Sequence, residues 1–295
     1  MTTVSNGLGA EPTRSPSNGV PVANEIFVQL PQDSGVPEWG RDFSVVDRVV
    51  IVTGAGQGIG RELARQFAAA GAVPIVADLN VEKARQVRDE IVAQGGRASA
   101  VEVDIADPKS VEALVSATVA EHGRIDVLIN NAAMFATLDK RQFEAIPLEE
   151  WDRVIRVNVT GPFLCARAVA PVMRAAGWGR IINISSDAVP KGVKNYLHYV
   201  ASKSAMIGMS NAMARELGAD GINVNCVRPG PVATEVDRTV NPTPELRRLQ
   251  LSHQCIQRGM IHTDLVGLML FLSTPASGFI TGQTIACDGG YTHSS

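Results

Sequence analysis

The chain has 295 residues, of which 45% are apolar and 19% charged, a balance that suits a globular protein with a filled core. A net charge of −3 without any basic run excludes an extended nucleic-acid-binding face. No apolar run approaches the roughly 20 residues of a membrane span, and no basic patch followed by an apolar stretch marks a secretory leader, so a cytoplasmic protein is expected.

Residues 1–43 are rich in Ser, Gly, Pro and Asn and carry little periodicity apart from Ile26–Leu30. Such a composition buries too little surface to offset the entropy of ordering, so a flexible N-terminal extension is expected, with residues 44–295 forming one folded domain. From Val45 onward, short β-branched runs alternate with helical segments. Val49–Val52 reads as a first strand, followed by a helix over Glu62–Ala70, then strands at Pro74–Ala77 and Ala98–Val103. Asp126–Ile129, Ile181–Ile184, Asn223–Val227 and Thr284–Cys287 complete the set. Continuous apolar strands separated by helices predict parallel pairing with both faces covered. The fold class expected is α/β, a single-domain Rossmann-type doubly wound parallel seven-stranded sheet, with one ligand crevice at the carboxyl ends of the strands.

Directly after the first strand comes Thr53-Gly54-Ala55-Gly56-Gln57-Gly58-Ile59-Gly60, opening into a helix. Glycines there let the backbone turn sharply and approach a pyrophosphate, which the helix N-terminus favours electrostatically. Gly54, Gln57, Gly58, Ile59 and Gly60 are therefore candidate cofactor contacts. Asp78 ends the second strand, where a carboxylate can accept hydrogen bonds from the adenosine ribose and repel a 2′-phosphate. The loop position that could carry a basic residue for that phosphate holds Gln57, so NAD is the expected cofactor. Asp104 and Ile105 follow the third strand, placed for the adenine edge, and Asn131 follows the fourth, placed for the ribose beside the nicotinamide. The four cysteines form no CxxC pair, three of them lie in apolar stretches, and the five histidines have no ligand spacing with them. Reduced thiols without a metal site are expected.

Tyr199 and Lys203 stand four residues apart, and Ser186 lies thirteen residues before the tyrosine. On a helix, positions i and i+4 share a face, so the ammonium would lie beside the phenol. Lowering a tyrosine pKa from about 10 to near 7 needs roughly 4 kcal/mol of differential stabilisation. A cation in a partly dry cleft, helped by a positively charged nicotinamide ring, can supply it. Serine adds a hydroxyl that can hold a substrate oxygen.

With strand, glycine turn, acidic residue and Tyr/Lys helix in this order, the chain resembles the short-chain dehydrogenase/reductase family from about Val45 to Tyr291. The family's TGxxxGxG motif is Thr53 to Gly60, and its NNAG motif appears as Asn130-Asn131-Ala132-Ala133. Ala133 in place of glycine narrows the crevice end and removes no functional group. The resemblance implies that Asn158, Ser186, Tyr199 and Lys203 are catalytic, and that Val232 and Thr234, after Pro229-Gly230, hold the nicotinamide carboxamide. It further implies that Tyr199 takes the alcohol proton while Ser186 steadies the substrate oxygen. Lys203 would bind the nicotinamide ribose, and Asn158 would position a water in a proton relay. Homo-oligomerisation, as a dimer or tetramer through helices Asp152–Ala175 and Tyr199–Leu217, is implied as well.

The loops expected to face the substrate are mostly apolar: Met134–Ala136, then Ala188, Val189, Val193 and Tyr196, with a lid over Val236–Leu251. They favour a fairly hydrophobic secondary alcohol or ketone. Lys191, Lys194 and His198 read as solvated loop charges. A 3-oxoacyl-thioester reductase is the alternative activity, and a non-catalytic dinucleotide-sensing scaffold the alternative of another class.

Overall fold

In a computed structural model, residues 42–236 and 243–293 are described; the expected N-terminal extension, with its Ile26–Leu30 patch, lies outside them except for its last two residues. Nine strands are present among the described residues: β1 (Val49–Thr53), β2 (Val73–Asp78), β3 (Ser99–Glu102), β4 (Val127–Asn130), β5 (Gly179–Ile184), β6 (Ile222–Pro229), β7 (Val232–Ala233), β8 (Met260–Ile261) and β9 (Thr284–Cys287). Among the described residues the α-helices of eight residues or more are α1 (Gly58–Ala69), α2 (Val81–Ala93), α3 (Pro108–His122), α4 (Leu148–Ile155), α5 (Gly161–Ala176), α6 (Leu197–Leu217), α7 (Pro244–Ser252) and α8 (Thr263–Leu272).

Seven strands form one parallel sheet in the order β3-β2-β1-β4-β5-β6-β9. The order reverses direction between β1 and β4, and a crevice opens at such a switch point beyond the carboxyl ends. Every one of the seven predicted strands is present. The short parallel pair β7 and β8 was not expected, because two-residue strands leave no periodicity to read.

Side-chain alternation divides the core into two layers. Val50 and Val52 point to one face of β1 and pack with Leu63 and Phe67 of α1, Val87 of α2 and Met269 of α8. Val49 and Ile51 point to the other face and pack with Leu114 of α3, Met173 of α5 and Leu217 of α6. Each such fully buried Leu, Ile or Phe contributes about 1.5–3 kcal/mol relative to exposure. Two charged clamps tie the sheet's amino end: Asp126 accepts from Arg48 at 2.9 Å and from Arg124 at 2.8 and 2.5 Å.

The single helix predicted over Asp152–Ala175 is interrupted. Between α4 and α5 the chain makes a π-helical turn over Arg156–Thr160, where Gly161 N–H donates to the Arg156 carbonyl. Pro162 has no N–H and cannot donate to the carbonyl of Asn158, four residues earlier, so an ordinary α-helical ladder cannot run through this point. In the lid region, Pro244–Ser252 is helical, while residues 237–242, including Arg238, lie outside the described part.

Candidate functional site

The glycine turn follows β1 at the carboxyl edge of the sheet. Gly54 has φ +64°, a conformation that disfavours residues with a Cβ, and a Cβ there would meet the Ala132 Cα at 2.8 Å. Gly60 is constrained more severely, since a Cβ would fall 2.3 Å from the Gly54 carbonyl and 2.6 Å from the Asn131 amide nitrogen. These glycines thus allow Asn131 to donate to the carbonyls of Thr53 at 2.9 Å and Gly54 at 3.1 Å. Thr53 Oγ1 accepts in return from the N–H groups of Asn131 and Ala132, both at 3.1 Å. The turn after β1 and the end of β4 are therefore one hydrogen-bonded unit. Thr53 gave no sequence signal beyond its place in the motif.

Asp78 closes the acidic side. Its carboxylate accepts from Gly56 N–H at 2.8 Å and from Asn80 N–H at 2.9 Å. The cap of α2 is Asn80, which accepts from Lys83 N–H at 3.0 Å. Asp78 is therefore held to the glycine turn rather than spent on a helix end. Gln57 is exposed, and Lys83 Nζ donates to its Oε1 at 2.6 Å. A cation thus stands where the sequence position alone offered none. Ile59 packs half-buried on the core. Asp104 is exposed and caps its own turn, accepting from Ala106 N–H at 2.9 Å, whereas Ile105 is buried against α5. Ala133 is exposed. A cavity of about 420 Å³ lies over the turn, bounded by Gly56, Gln57, Arg61, Lys83, Glu235 and Val236 among others.

The second half of the site lies beyond β4 and β5. Lys203 of α6 is buried, and its ammonium donates to the Ile184 carbonyl at 2.8 Å. Burial pushes the Lys203 amine down to about 8, opposed only by the nearby Cys226. Its Nζ lies 6.0 Å from the centroid of the Tyr199 ring, so the predicted pair does share one face. Ser185 Oγ donates to the Lys203 carbonyl at 2.7 Å and ties the end of β5 to α6. Ser186, next in the chain, accepts from Ala188 N–H at 3.1 Å and donates to Asp187 at 3.4 Å. Asp187 also receives the Lys191 ammonium. Burial raises the Asp187 carboxyl, with Lys191 opposing. Lys191 is thus partnered and largely buried rather than a solvated loop charge. His198 is fully buried, 3.3 Å from Glu150. Only Lys194 of the three is exposed.

Asn158 sits in the π-helical turn and is 1% exposed. Its amide accepts from Met134 N–H at 2.7 Å and donates to the Met134 carbonyl and to Ser202 Oγ, both at 3.1 Å. Ser202 passes the link on to the Tyr199 carbonyl at 2.8 Å. Both ends of the amide are engaged with the backbone of Met134 and with Ser202. Phe135 stacks 4.7 Å from Tyr199, and with Leu138, Tyr196 and Val193 it makes one wall apolar. Val232 is buried in β7, and Thr234 is half-buried two residues on. Residues that sequence reasoning missed are Ser185, Ser202, Asp187 and Glu235. Their roles are contacts across the fold, which no local spacing announces.

No cysteine is paired: Cys165 and Cys226 are buried, Cys287 is partly exposed and Cys255 is exposed. Cys287 is only partly covered because it lies on the edge strand β9, all of whose residues are half-buried. No described helix is long and apolar enough to cross a membrane.

Against known proteins, residues 54–292 match the family described as "Enoyl-(Acyl carrier protein) reductase". A 3-oxoacyl-[acyl-carrier-protein] reductase of Synechocystis sp. is 39% identical over 248 residues, 82% of this chain and 96% of that protein. The solved structure of a 7α-hydroxysteroid dehydrogenase with NADH and 7-oxo glycochenodeoxycholic acid is 34% identical with a TM-score of 0.80, covering 85% of this chain and 96% of that one. A short-chain type dehydrogenase/reductase from Mycobacterium marinum is 34% identical with a TM-score of 0.77, covering 86% of this chain and 98% of that one.

Proposed function

The chain belongs to the short-chain dehydrogenase/reductase family of NAD(P)-linked oxidoreductases acting on alcohol and ketone groups, and from that premise we propose an NAD-dependent dehydrogenase of a fairly hydrophobic secondary alcohol. The observation that carries this reading is the buried Lys203 ammonium over the Tyr199 ring, held to Ile184 at the same carboxyl edge of the sheet from which the glycine turn, tied to Asp78, follows β1. The residues fit the dinucleotide: the cradle at Gly54 and Gly60 leaves no room for a Cβ. Asp78, Asn131, Tyr199 and Lys203 would hold its ribose hydroxyls, Gly58, Ile59 and the turn its diphosphate, and Val232 and Thr234 its carboxamide. When bound, the nicotinamide supplies the hydride acceptor.

The chain's own work is proton transfer and orientation. Tyr199 takes the hydroxyl proton of the alcohol. At 6.0 Å and an effective dielectric near 20, the Lys203 charge favours the phenolate by about 3 kcal/mol. That is most of the roughly 4 kcal/mol that base function near neutral pH requires. Ser186 Oγ–H turns from its long contact with Asp187 to the substrate oxygen and stabilises the charge developing there. Asn158, fixed in the π-helical turn, would position a water that links Lys203 to solvent. The wall of Phe135, Leu138, Val193 and Tyr196 supports the hydrophobic substrate. A homo-oligomer formed through α5, whose Phe163 is exposed, and α6 is part of the same reading.

NADP use is the second reading, favoured by the ammonium of Lys83 beside Gln57. Steady-state assays of a panel of secondary alcohols and ketones with NAD and NADP in parallel test the first. A large preference for NADP would overturn the reading of Asp78. Replacing Tyr199→Phe is expected to lower turnover by orders of magnitude while NADH binding stays near wild type. Wild-type turnover in that variant would refute the base assignment.

A further inference from the structure

The N-terminus of α1 already carries an anion. Glu235 Oε1 accepts from Gly58 N–H at 3.0 Å and lies 3.5 Å from Arg61 Nη1. Burial opposes ionisation there, but the Gly58 N–H and Arg61 hold the Glu235 carboxyl below its ordinary value. The neighbouring chain lies across the same point: a Cβ on Gly58 would be 3.1 Å from Val236 Cγ2 and 4.0 Å from Thr234 Cγ2. Arg61 is kept in place from the other side by Glu90, at 2.7 and 3.1 Å. Glu235 also forms part of the boundary of the 420 Å³ cavity over the glycine turn.

A helix N-terminus offers free N–H groups and a partial positive charge to one anion at a time. A diphosphate seated on this turn needs the Gly58 N–H that the carboxylate now occupies. The geometry points to Glu235 as an internal competitor of the cofactor's diphosphate, which must leave Gly58 before the dinucleotide can seat. Glu235 then sets cofactor affinity without being a cofactor ligand, and by returning to Gly58 it assists release of the dinucleotide. This inference rests on the dinucleotide seat described under the proposed function.

The test is a fluorescence titration with NADH of the wild-type chain, Glu235→Gln and a remote control, Glu112→Gln, at fixed ionic strength. A glutamine side chain keeps the size and removes the charge. Glu235→Gln is expected to bind NADH about five- to thirtyfold more tightly, the factor that about 1–2 kcal/mol of competition produces. Inorganic pyrophosphate, used to compete with NADH, should gain by a similar factor, and Glu112→Gln should change neither. Unchanged or weaker NADH binding in Glu235→Gln overturns the inference. So does equal tightening in the control, which would assign the effect to overall charge. A wild-type chain that binds no NADH at all would instead overturn the seat on which the inference depends, so the two failures are separable.

Discussion

Asn158 offers the sharpest link between fold and site, because its side chain is spent on structure while its position is tied to chemistry. Asn158→Ala removes three hydrogen bonds, to both backbone groups of Met134 and to Ser202 Oγ. At about 0.5–1.5 kcal/mol each, the expected loss is roughly 3 kcal/mol within a span of about 1.5–4.5. For a chain of this size that lowers Tm by roughly 6–12 °C. Asn158→Asp should be worse, since it keeps an acceptor for Met134 N–H but buries a charge facing the Met134 carbonyl. Ser202→Ala removes one partner only, and a double-mutant cycle between the two positions should give a coupling of about 0.5–1.5 kcal/mol. Urea denaturation of the wild type, the three single variants and the double mutant measures these differences. The released Met134 segment carries Phe135, stacked 4.7 Å from Tyr199, so KM for a hydrophobic alcohol should rise in Asn158→Ala as kcat falls. Stability within about 0.5 kcal/mol of wild type would refute the bracing role. An unchanged KM would refute its link to the substrate wall.

Lys203 and the thiols give two further predictions. Burial pushes the Lys203 amine down to about 8, whereas an unfolded lysine titrates near 10.4. Below about 8 both states are protonated, and the buried charge weakens the fold. Between that value and about 10.4 the unfolded state binds more protons, so stability rises with pH through this window. Lys203→Met should be more stable than wild type near pH 7 and lose this rise in urea titrations; an identical pH profile would contradict it. For the thiols, burial pushes Cys165 up to about 12 and Cys226 up to about 11, while Cys255 is exposed. Iodoacetamide at pH 8 should therefore label Cys255 well before either, as read by peptide mass spectrometry, and early labelling of Cys165 would refute the packing around α5.

The sheet was legible in the sequence because a strand buried on both faces needs an unbroken apolar run, and Val49–Thr53 and Ile181–Ile184 have one. The Tyr199/Lys203 pair was legible because helical geometry converts a spacing of four into a shared face. The π-helical turn at Arg156–Thr160 was hard to read from spacing, because the apolar period of Asp152–Ala175 runs on through it and the N–H that Pro162 lacks does not disturb that period. Lys83 and Glu235 were illegible for a different reason. Lys83 reaches Gln57 from the next helix, 26 residues away, and Glu235 reaches Gly58 across 177 residues. A local motif names the groups that line a phosphate seat, but the charges that contest it arrive from elsewhere in the fold. Both long-range contacts converge on the same glycine turn, one bringing a cation and the other a carboxylate. If the dinucleotide seats on this turn as proposed, residues outside the motif that announces the cofactor bear on both its choice and its affinity. The ratio of NAD to NADP use should respond to Lys83 and Asp78 together, and the affinity for either should respond to Glu235.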